Sequence, residues 1–149
     1  MNSYPFLLNL HNILRWAVLL GGLYAITKSV LGIMHKRAYT KQENISHAVF
    51  VGLCHAQLLI GLILYFISPA VDVALANGMG AAMKVPELRF VAVEHISTMI
   101  IAIVLIQVGR SLSKKATDAM VKHRRAVIFF SIGMLLILSR IPWNKALWP

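Results

Sequence analysis

The sequence predicts an all-α protein, an integral membrane bundle of four helices arranged up-down-up-down. The composition is far more apolar than that of a soluble domain: 58% of the 149 residues are hydrophobic and 13% are charged, against about 45–50% and about 25% in soluble domains. Four apolar runs are long enough to cross a bilayer, and basic residues gather in two of the connections between them. The composition therefore favours lipid as the surroundings of most of the chain.

The four apolar runs define the predicted elements in chain order. A bilayer-spanning helix needs about 17–25 residues, and in lipid its backbone must satisfy its own hydrogen bonds. The runs do not alternate in polarity as the strands of a membrane barrel do. Short connections favour antiparallel neighbours and a single domain over residues 1–149, and the connection 72–86 is predicted as a loop with one helical turn. The predicted spans are roughly residues 5–34, 46–71, 88–109 and 126–143.

The distribution of basic residues predicts the orientation of these spans. Lys36, Arg37 and Lys41 lie between the first two runs, and a larger basic group lies between the last two, at 110–125. The remaining connection has only Lys84, and the N-terminal tail has no basic residue. Because basic loops stay in the cytoplasm, both termini are predicted on the non-cytoplasmic side of a bacterial inner membrane. Nucleic-acid binding is not indicated, because the sequence outside the loops has no face that combines basic and aromatic residues.

Several features of the sequence limit the chemistry. The single cysteine, Cys54, cannot form an internal disulfide, and without a CxxCH motif no c-type haem is attached covalently. No motif of a soluble enzyme class is present. His35, His47 and His123 lie near the inner ends of the runs and are interpreted as solvated or snorkelling side chains.

Ionisable side chains inside the predicted spans are the candidate functional residues, because each is costly in lipid. His11 and Arg15 are four residues apart and share one helix face. Glu94 and His95 are adjacent and point about 100° apart on a helix. One of this pair can face the bundle centre while the other pairs with Arg15 or Arg140. The full set is His11, Arg15, His55, Arg89, Glu94, His95 and Arg140.

The three histidines of this set predict a haem b site. His11 and His95 lie about 8 Å and about 10 Å below the outer ends of their spans, and His55 about 17–20 Å below. Two imidazoles from separate helices at similar depth can bind haem iron from opposite sides of the porphyrin. We therefore expect the axial ligands to come from these three residues.

The charged candidates suggest supporting roles at such a site. Arg15, Arg89 and Arg140 lie towards the outer side and can hold haem propionates or a quinone headgroup. Glu94 can take protons. The expected activity is electron transfer in the bilayer, as a membrane oxidoreductase that uses quinol or a redox partner protein.

A family resemblance supports the same expectation. LHNILRW at 10–16, HAQLLIGLILYF at 55–66, RFVAVEH at 89–95 and IPW at 141–143 resemble a family of short bacterial four-helix membrane proteins labelled cytochrome b. The chain lacks the two depth-matched histidine pairs of di-haem cytochromes b, which argues against two haems. The start of the first helix has a looser likeness to small membrane protoporphyrinogen oxidases. The resemblance implies functional roles for His11, Arg15, His55, Arg89, Glu94 and His95.

Two other functions fit the same residues. His11, His55 and His95 with Glu94 would suit a non-haem copper, zinc or iron site, since imidazole binds all three metals. Alternatively, the buried charges serve only helix association in a non-enzymatic assembly subunit. Either function is compatible with a homo-oligomer in the lipid bilayer.

Overall fold

Helices account for nearly all of the chain that the computed structural model describes, residues 3–143, and no strand occurs in that range. The prediction of an all-helical protein is confirmed. Three of the helices, α1, α2 and α5, are long and apolar enough to cross a membrane. The helices are α1 (Ser3–Met34), α2 (Lys41–Ile67), α3 (Pro69–Ala76), α4 (Met79–Ala82), α5 (Pro86–Lys115) and α6 (Ala119–Ser139).

Two of the long helices begin earlier than hydropathy predicts, because polar caps start them. Thr40 caps α2: its hydroxyl accepts the Gln42 N–H at 3.2 Å, and its own N–H donates to Glu43 Oε2 at 3.0 Å. Asp118 caps α6 by accepting the Val121 N–H at 2.8 Å. Side-chain acceptors at this position satisfy backbone N–H groups that the first helical turn leaves without partners. The polar first turns of both helices therefore belong to the elements, although their hydropathy is low.

Helix α6 differs from the other long helices in its charge. Lys122, Arg124 and Arg125 all lie in its first two turns. The continuous apolar part of α6 therefore begins only at Ala126, which is where the sequence analysis placed the start of the fourth span. The helix ends at Ser139, before residue 143.

Proline residues and one irregular turn shape the connection between α2 and α5. Helix α2 ends at Ile67 because Pro69 disfavours helical geometry at Ser68, and Pro69 then occupies the first turn of α3. The predicted loop contains two short helices, α3 and α4, rather than one helical turn. Helix α5 contains a π-helical turn over Phe90–Glu94, closed by a hydrogen bond from the His95 N–H to the Phe90 carbonyl.

The four long helices contact one another around a shared core. Helix α1 packs against α2 and α6, and α5 packs against the same two helices. Phe50 and Phe130 are fully buried, with ring centroids 5.2 Å apart in an edge-to-face arrangement, and Ile106 and Ala25 pack with them. The outward faces carry large exposed apolar side chains such as Leu20 and Phe66, which suits contact with a bilayer.

Candidate functional site

A cavity of about 540 Å³ lies at the end of the molecule where α1 and α5 begin and α2 and α6 end. We call this end the cavity end. Most of the lining is apolar, and the polar groups include His11, Arg15, Gln57 and His95. The volume falls within the range of about 300–1,000 Å³ typical of sites for small molecules and cofactors. Apolar walls with a few polar groups are the usual composition of such sites.

His11 on α1 and His95 on α5 face each other at this cavity. Their ring centroids are 6.4 Å apart, and the ring planes are inclined at 66°. The prediction that two imidazoles from separate spans approach one another therefore holds for this pair. The absence of a side chain at Gly61 on α2 leaves space for the His11 ring, because a Cβ atom there would lie 3.3 Å from His11 Cε1. Gln57 Nε2 donates to the His11 carbonyl at 2.9 Å and fixes α1 against α2.

The hydrogen bond of His95 defines its tautomer. His95 Nδ1 lies 2.9 Å from the carbonyl oxygen of Arg140. Because a carbonyl only accepts hydrogen bonds, Nδ1 carries the proton, and Nε2 of the neutral ring keeps a lone pair. An Nδ1–H to backbone carbonyl bond is the arrangement that orients a metal-binding histidine. His95 is therefore set up to act as an acceptor or a ligand through Nε2.

His11 has an unsatisfied polar atom. Its Nδ1 is buried and has no hydrogen-bond partner among residues 3–143. A buried polar atom without a partner costs about 1–3 kcal/mol, so the packing of this side of the ring on Gly61 leaves His11 Nδ1 unsatisfied at a cost in stability.

Arg15 is the charged residue of the cavity wall. Its side chain is buried, with a relative exposure of 7%. Nη1 donates to Asn12 Oδ1 at 3.4 Å, and the guanidinium carbon lies 5.7 Å from the Trp16 ring centroid. The spacing of His11 and Arg15 predicted a shared helix face, and both side chains do line the same cavity.

The other charged candidates form a separate ionic cluster. Arg89 Nε lies 2.7 Å from Glu94 Oε1, and Arg140 Nη1 lies 3.4 Å from Glu94 Oε2. The predicted pairing of Glu94 with Arg140 is confirmed, while its neighbour His95 faces the cavity. Arg89, Glu94 and Arg140 do not line the cavity. Of the three arginines predicted to hold propionates or a quinone headgroup, Arg15 is the one that lines this cavity.

His55 lies apart from the other two histidines. Its side chain is exposed on the outward side of α2, in a shallow groove between α2 and α5. It does not line the cavity, because the helix turns it away from the face that carries Gln57 and Gly61. Within the described residues, no group of three or more His, Cys, Asp and Glu side chains is placed to hold a metal ion. The structure therefore does not bring His11, His55, His95 and Glu94, the residues predicted for a non-haem metal site, together at one point.

A second polar cluster lies at the end opposite the cavity, and no pattern in the sequence predicted it. His47 and His123 are both fully buried there, so their interpretation as solvated side chains is wrong, whereas His35 is exposed as predicted. His47 Nε2 is 2.9 Å from Ser29 Oγ, and His47 Nδ1 is 2.9 Å from the Tyr39 hydroxyl. These contacts join residues distant in sequence, so helix periodicity gave no signal for them.

Tyr39 is the centre of this second cluster. Its ring centroid lies 5.5 Å from that of His47 and 5.3 Å from that of His123. Burial raises the pKa of the Tyr39 phenol, so Tyr39 stays protonated and its hydroxyl hydrogen is available for hydrogen bonding. The His123 ring packs directly on Gly32. The cluster is tightly packed and joins α1, α2, α6 and the connection between α1 and α2.

Comparison with models of known families, with characterised proteins and with solved structures finds no match for this chain. The geometry of the cavity and the chemistry of its residues are therefore the basis for assigning a function.

Proposed function

We propose that this protein binds one haem b in the cavity between His11 and His95 and transfers electrons in the membrane, with quinol as the donor. The observation that carries the proposal is the pair of imidazole rings that face each other at a large apolar cavity. The sequence resemblance to short membrane proteins labelled cytochrome b points to the same function.

The spacing of the two rings suits a single metal ion between them. Since an imidazole nitrogen binds a metal ion at about 2.0–2.1 Å, two rings on opposite sides of one ion have centroids on the order of 6 Å apart. The observed separation is 6.4 Å. The lone pair on His95 Nε2 is the kind of donor that such an ion requires.

The number of protein ligands favours haem over a non-haem metal. A non-haem zinc site typically uses three or four protein side chains, and residues 3–143 contain no such group. Haem iron needs only axial ligands from the protein, because the porphyrin supplies the other four nitrogens. The apolar walls of the cavity suit a porphyrin better than a hydrated ion.

The chain's own residues would hold the haem and set its environment. His11 and His95 would bind it, with His95 oriented by the Arg140 carbonyl. Arg15 provides a buried positive charge for a propionate. Apolar residues such as Ile103 and Met99 keep water away from the ring. When bound, haem b supplies a one-electron carrier whose potential depends on ligand identity and burial.

We also propose that the four long helices form an up-down-up-down transmembrane bundle, with α6 as the fourth span. Contacts such as His11 with His95 gather the start of α1 and the start of α5 at the cavity end, while Ser29 with His47 joins the end of α1 to the start of α2. The three basic residues in the first turns of α6 would lie at the cytoplasmic surface. Both termini and the cavity then face the non-cytoplasmic side of a bacterial inner membrane.

An optical spectrum of the purified protein tests the proposal. Protein expressed with ample haem is expected to show a sharp Soret band and one haem per chain by pyridine haemochrome assay. We expect His11→Ala and His95→Ala each to lose most of the haem, since each removes a residue that would hold it. His55→Ala is the matched control, because it also removes a histidine from a span but leaves the cavity intact.

Three outcomes would contradict the proposal. A colourless wild-type protein would do so, and stoichiometric copper, zinc or iron in that protein would favour the non-haem alternative. Equal haem content in the His11→Ala, His95→Ala and wild-type proteins would place the haem elsewhere. Altered oligomeric state in the histidine variants, with no spectral change, would favour a structural assembly subunit.

A further inference from the structure

We infer that the groove containing His55 and Gln107 is the site at which a membrane quinol binds and delivers its electrons and protons. The inference rests on the proposed haem function and assigns the quinol a site distinct from the haem cavity. The groove lies between α2 and α5, on the outward surface of the helices.

Two polar side chains sit in this otherwise apolar groove. His55 makes no hydrogen bond to any of residues 3–143, and Gln107 uses its Nε2 to donate to Ser111 Oγ at 3.2 Å, which leaves its Oε1 as an acceptor. His55 is 12 residues from the end of α2 at Ile67 and 14 from its start at Lys41, so it lies near the middle of the span. Lipid chains offer no hydrogen bonds at that depth, so exposed polar groups there are costly unless a ligand engages them.

The size and chemistry of the groove fit a quinol ring. Its volume is about 210 Å³, and a cavity of about 150 Å³ is enough to hold a benzene ring. A quinol hydroxyl is a hydrogen-bond donor, and both a neutral imidazole nitrogen and the Gln107 Oε1 are acceptors. Because the groove opens on the outward face of the helices, a lipid-soluble ligand can enter it laterally from the bilayer.

The groove is separated from the haem cavity by a single layer of side chains. Leu58 and Ile103 line both the groove and the cavity. Gly61, whose lack of a side chain leaves room for the His11 ring, is six residues from His55 on α2, a distance of about 9 Å along the helix axis. A quinol in the groove would therefore lie next to the cavity without entering it, and electrons would need to cross only the Leu58 and Ile103 layer.

The proposed reaction is the oxidation of quinol to quinone, which releases two electrons and two protons. Each of two chains takes one electron and one proton from the quinol: the electron would go to the haem of that chain, and the proton goes to a ring nitrogen of its His55. In each chain the O–H bond that faces His55 breaks, and the half-oxidised ligand leaves the first chain and is oxidised to quinone by the second. Gln107 holds the other oxygen of the ligand and takes no proton.

The test compares four variants of the full-length, haem-loaded protein in detergent. His55→Leu and Gln107→Leu remove the polar groups, His55→Gln keeps a polar group but provides no basic nitrogen, and Leu59→Ala is the control. Leu59 is 62% exposed on the same helix, one turn from His55, and does not line the groove. Haem reduction by a short-chain quinol is followed by stopped flow, and an azido-quinone probe reports binding by photolabelling.

We expect His55→Leu to slow quinol-dependent haem reduction at least tenfold and to lose the photolabel on α2 and α5. Gln107→Leu should weaken labelling several-fold, and His55→Gln should keep labelling but lose most of the rate. Leu59→Ala should match the wild type, and dithionite should reduce every variant to the same spectrum.

Unchanged rates and labelling in His55→Leu would overturn the inference, as would labelling that maps to other helices. If His55→Leu loses a dimer that the wild type forms but keeps the rate of haem reduction by quinol, the inference is also overturned, and the groove is assigned to a second copy of the chain. The photolabelling needs no haem, so a wild-type protein without haem but with label at this groove would refute the proposed function alone.

Discussion

The contacts that His95 makes with its neighbours determine which of its ring nitrogens can accept a hydrogen bond or bind a ligand. Its Nδ1 donates to the carbonyl of Arg140, a residue 45 positions away, while the Arg140 side chain pairs with Glu94. Arg140 therefore joins the end of α6 to the start of α5 through both its backbone and its side chain. From charge, the sequence predicted a partner for Glu94 in Arg15 or Arg140, and the structure shows Arg140. The carbonyl contact depends on where α6 ends, which no residue type specifies.

We predict that Glu94→Gln raises the midpoint potential of the proposed haem. Loss of the ion pair loosens the Arg140 carbonyl, and a weaker hydrogen bond makes His95 a less basic ligand that stabilises ferric iron less. The expected rise is about 30–60 mV, where about 60 mV is a tenfold change for a one-electron couple. Redox titration followed in the Soret band measures it. Glu87→Gln, which neutralises an exposed carboxylate near the same helix start, should leave the potential unchanged. Equal shifts in both variants would contradict a role for the Arg140 contact.

At the scale of the helices, hydropathy located the long elements but not their ends or their buried polar contacts. It identified 46–71 and 126–143 as spans, whereas α2 begins at Lys41 and α6 begins at Ala119. The extra turns are polar and depend on caps at Thr40 and Asp118. The extra turns of α6 carry His123, and His47 lies just after the extra turn of α2. Helix packing, rather than local sequence, buries both side chains.

The packing of α1 on α6 leads to a prediction about Gly32. A Cβ atom at Gly32 would lie 2.4–2.7 Å from three atoms of the His123 ring, so Gly32→Ala should destabilise the protein by about 1–3 kcal/mol through overpacking. Thermal unfolding in detergent should show the loss, and the double variant with His123→Ala should lose less than the sum of the single changes. Gly52→Ala is the control, since no atom lies within 4 Å of a Cβ there. Additive effects in the double variant would contradict the packing argument.

At the scale of the whole molecule, composition was sufficient to predict a helical membrane protein but not the arrangement of its site. Of the ionisable residues inside the predicted spans, His11, Arg15 and His95 line one cavity. His55 was grouped with them on depth alone. Depth along a span says nothing about the direction in which a side chain points around its helix, and that direction separates His55 from the cavity.

The proposed orientation can be tested by cysteine labelling, because the single cysteine of the chain, Cys54, is only 1% exposed. Asn77→Cys places an exposed thiol between α3 and α4, and Ala38→Cys places one between α1 and α2 without removing a basic residue. The positive-inside rule puts residue 77 outside and residue 38 in the cytoplasm. A membrane-impermeant maleimide should therefore label Asn77→Cys in intact spheroplasts and Ala38→Cys only after lysis. The wild-type protein, with Cys54 alone, is the background control. The reverse labelling pattern would place the cavity, and with it His11 and His95, at the cytoplasmic surface. Labelling of both positions in intact spheroplasts would instead contradict the bundle topology.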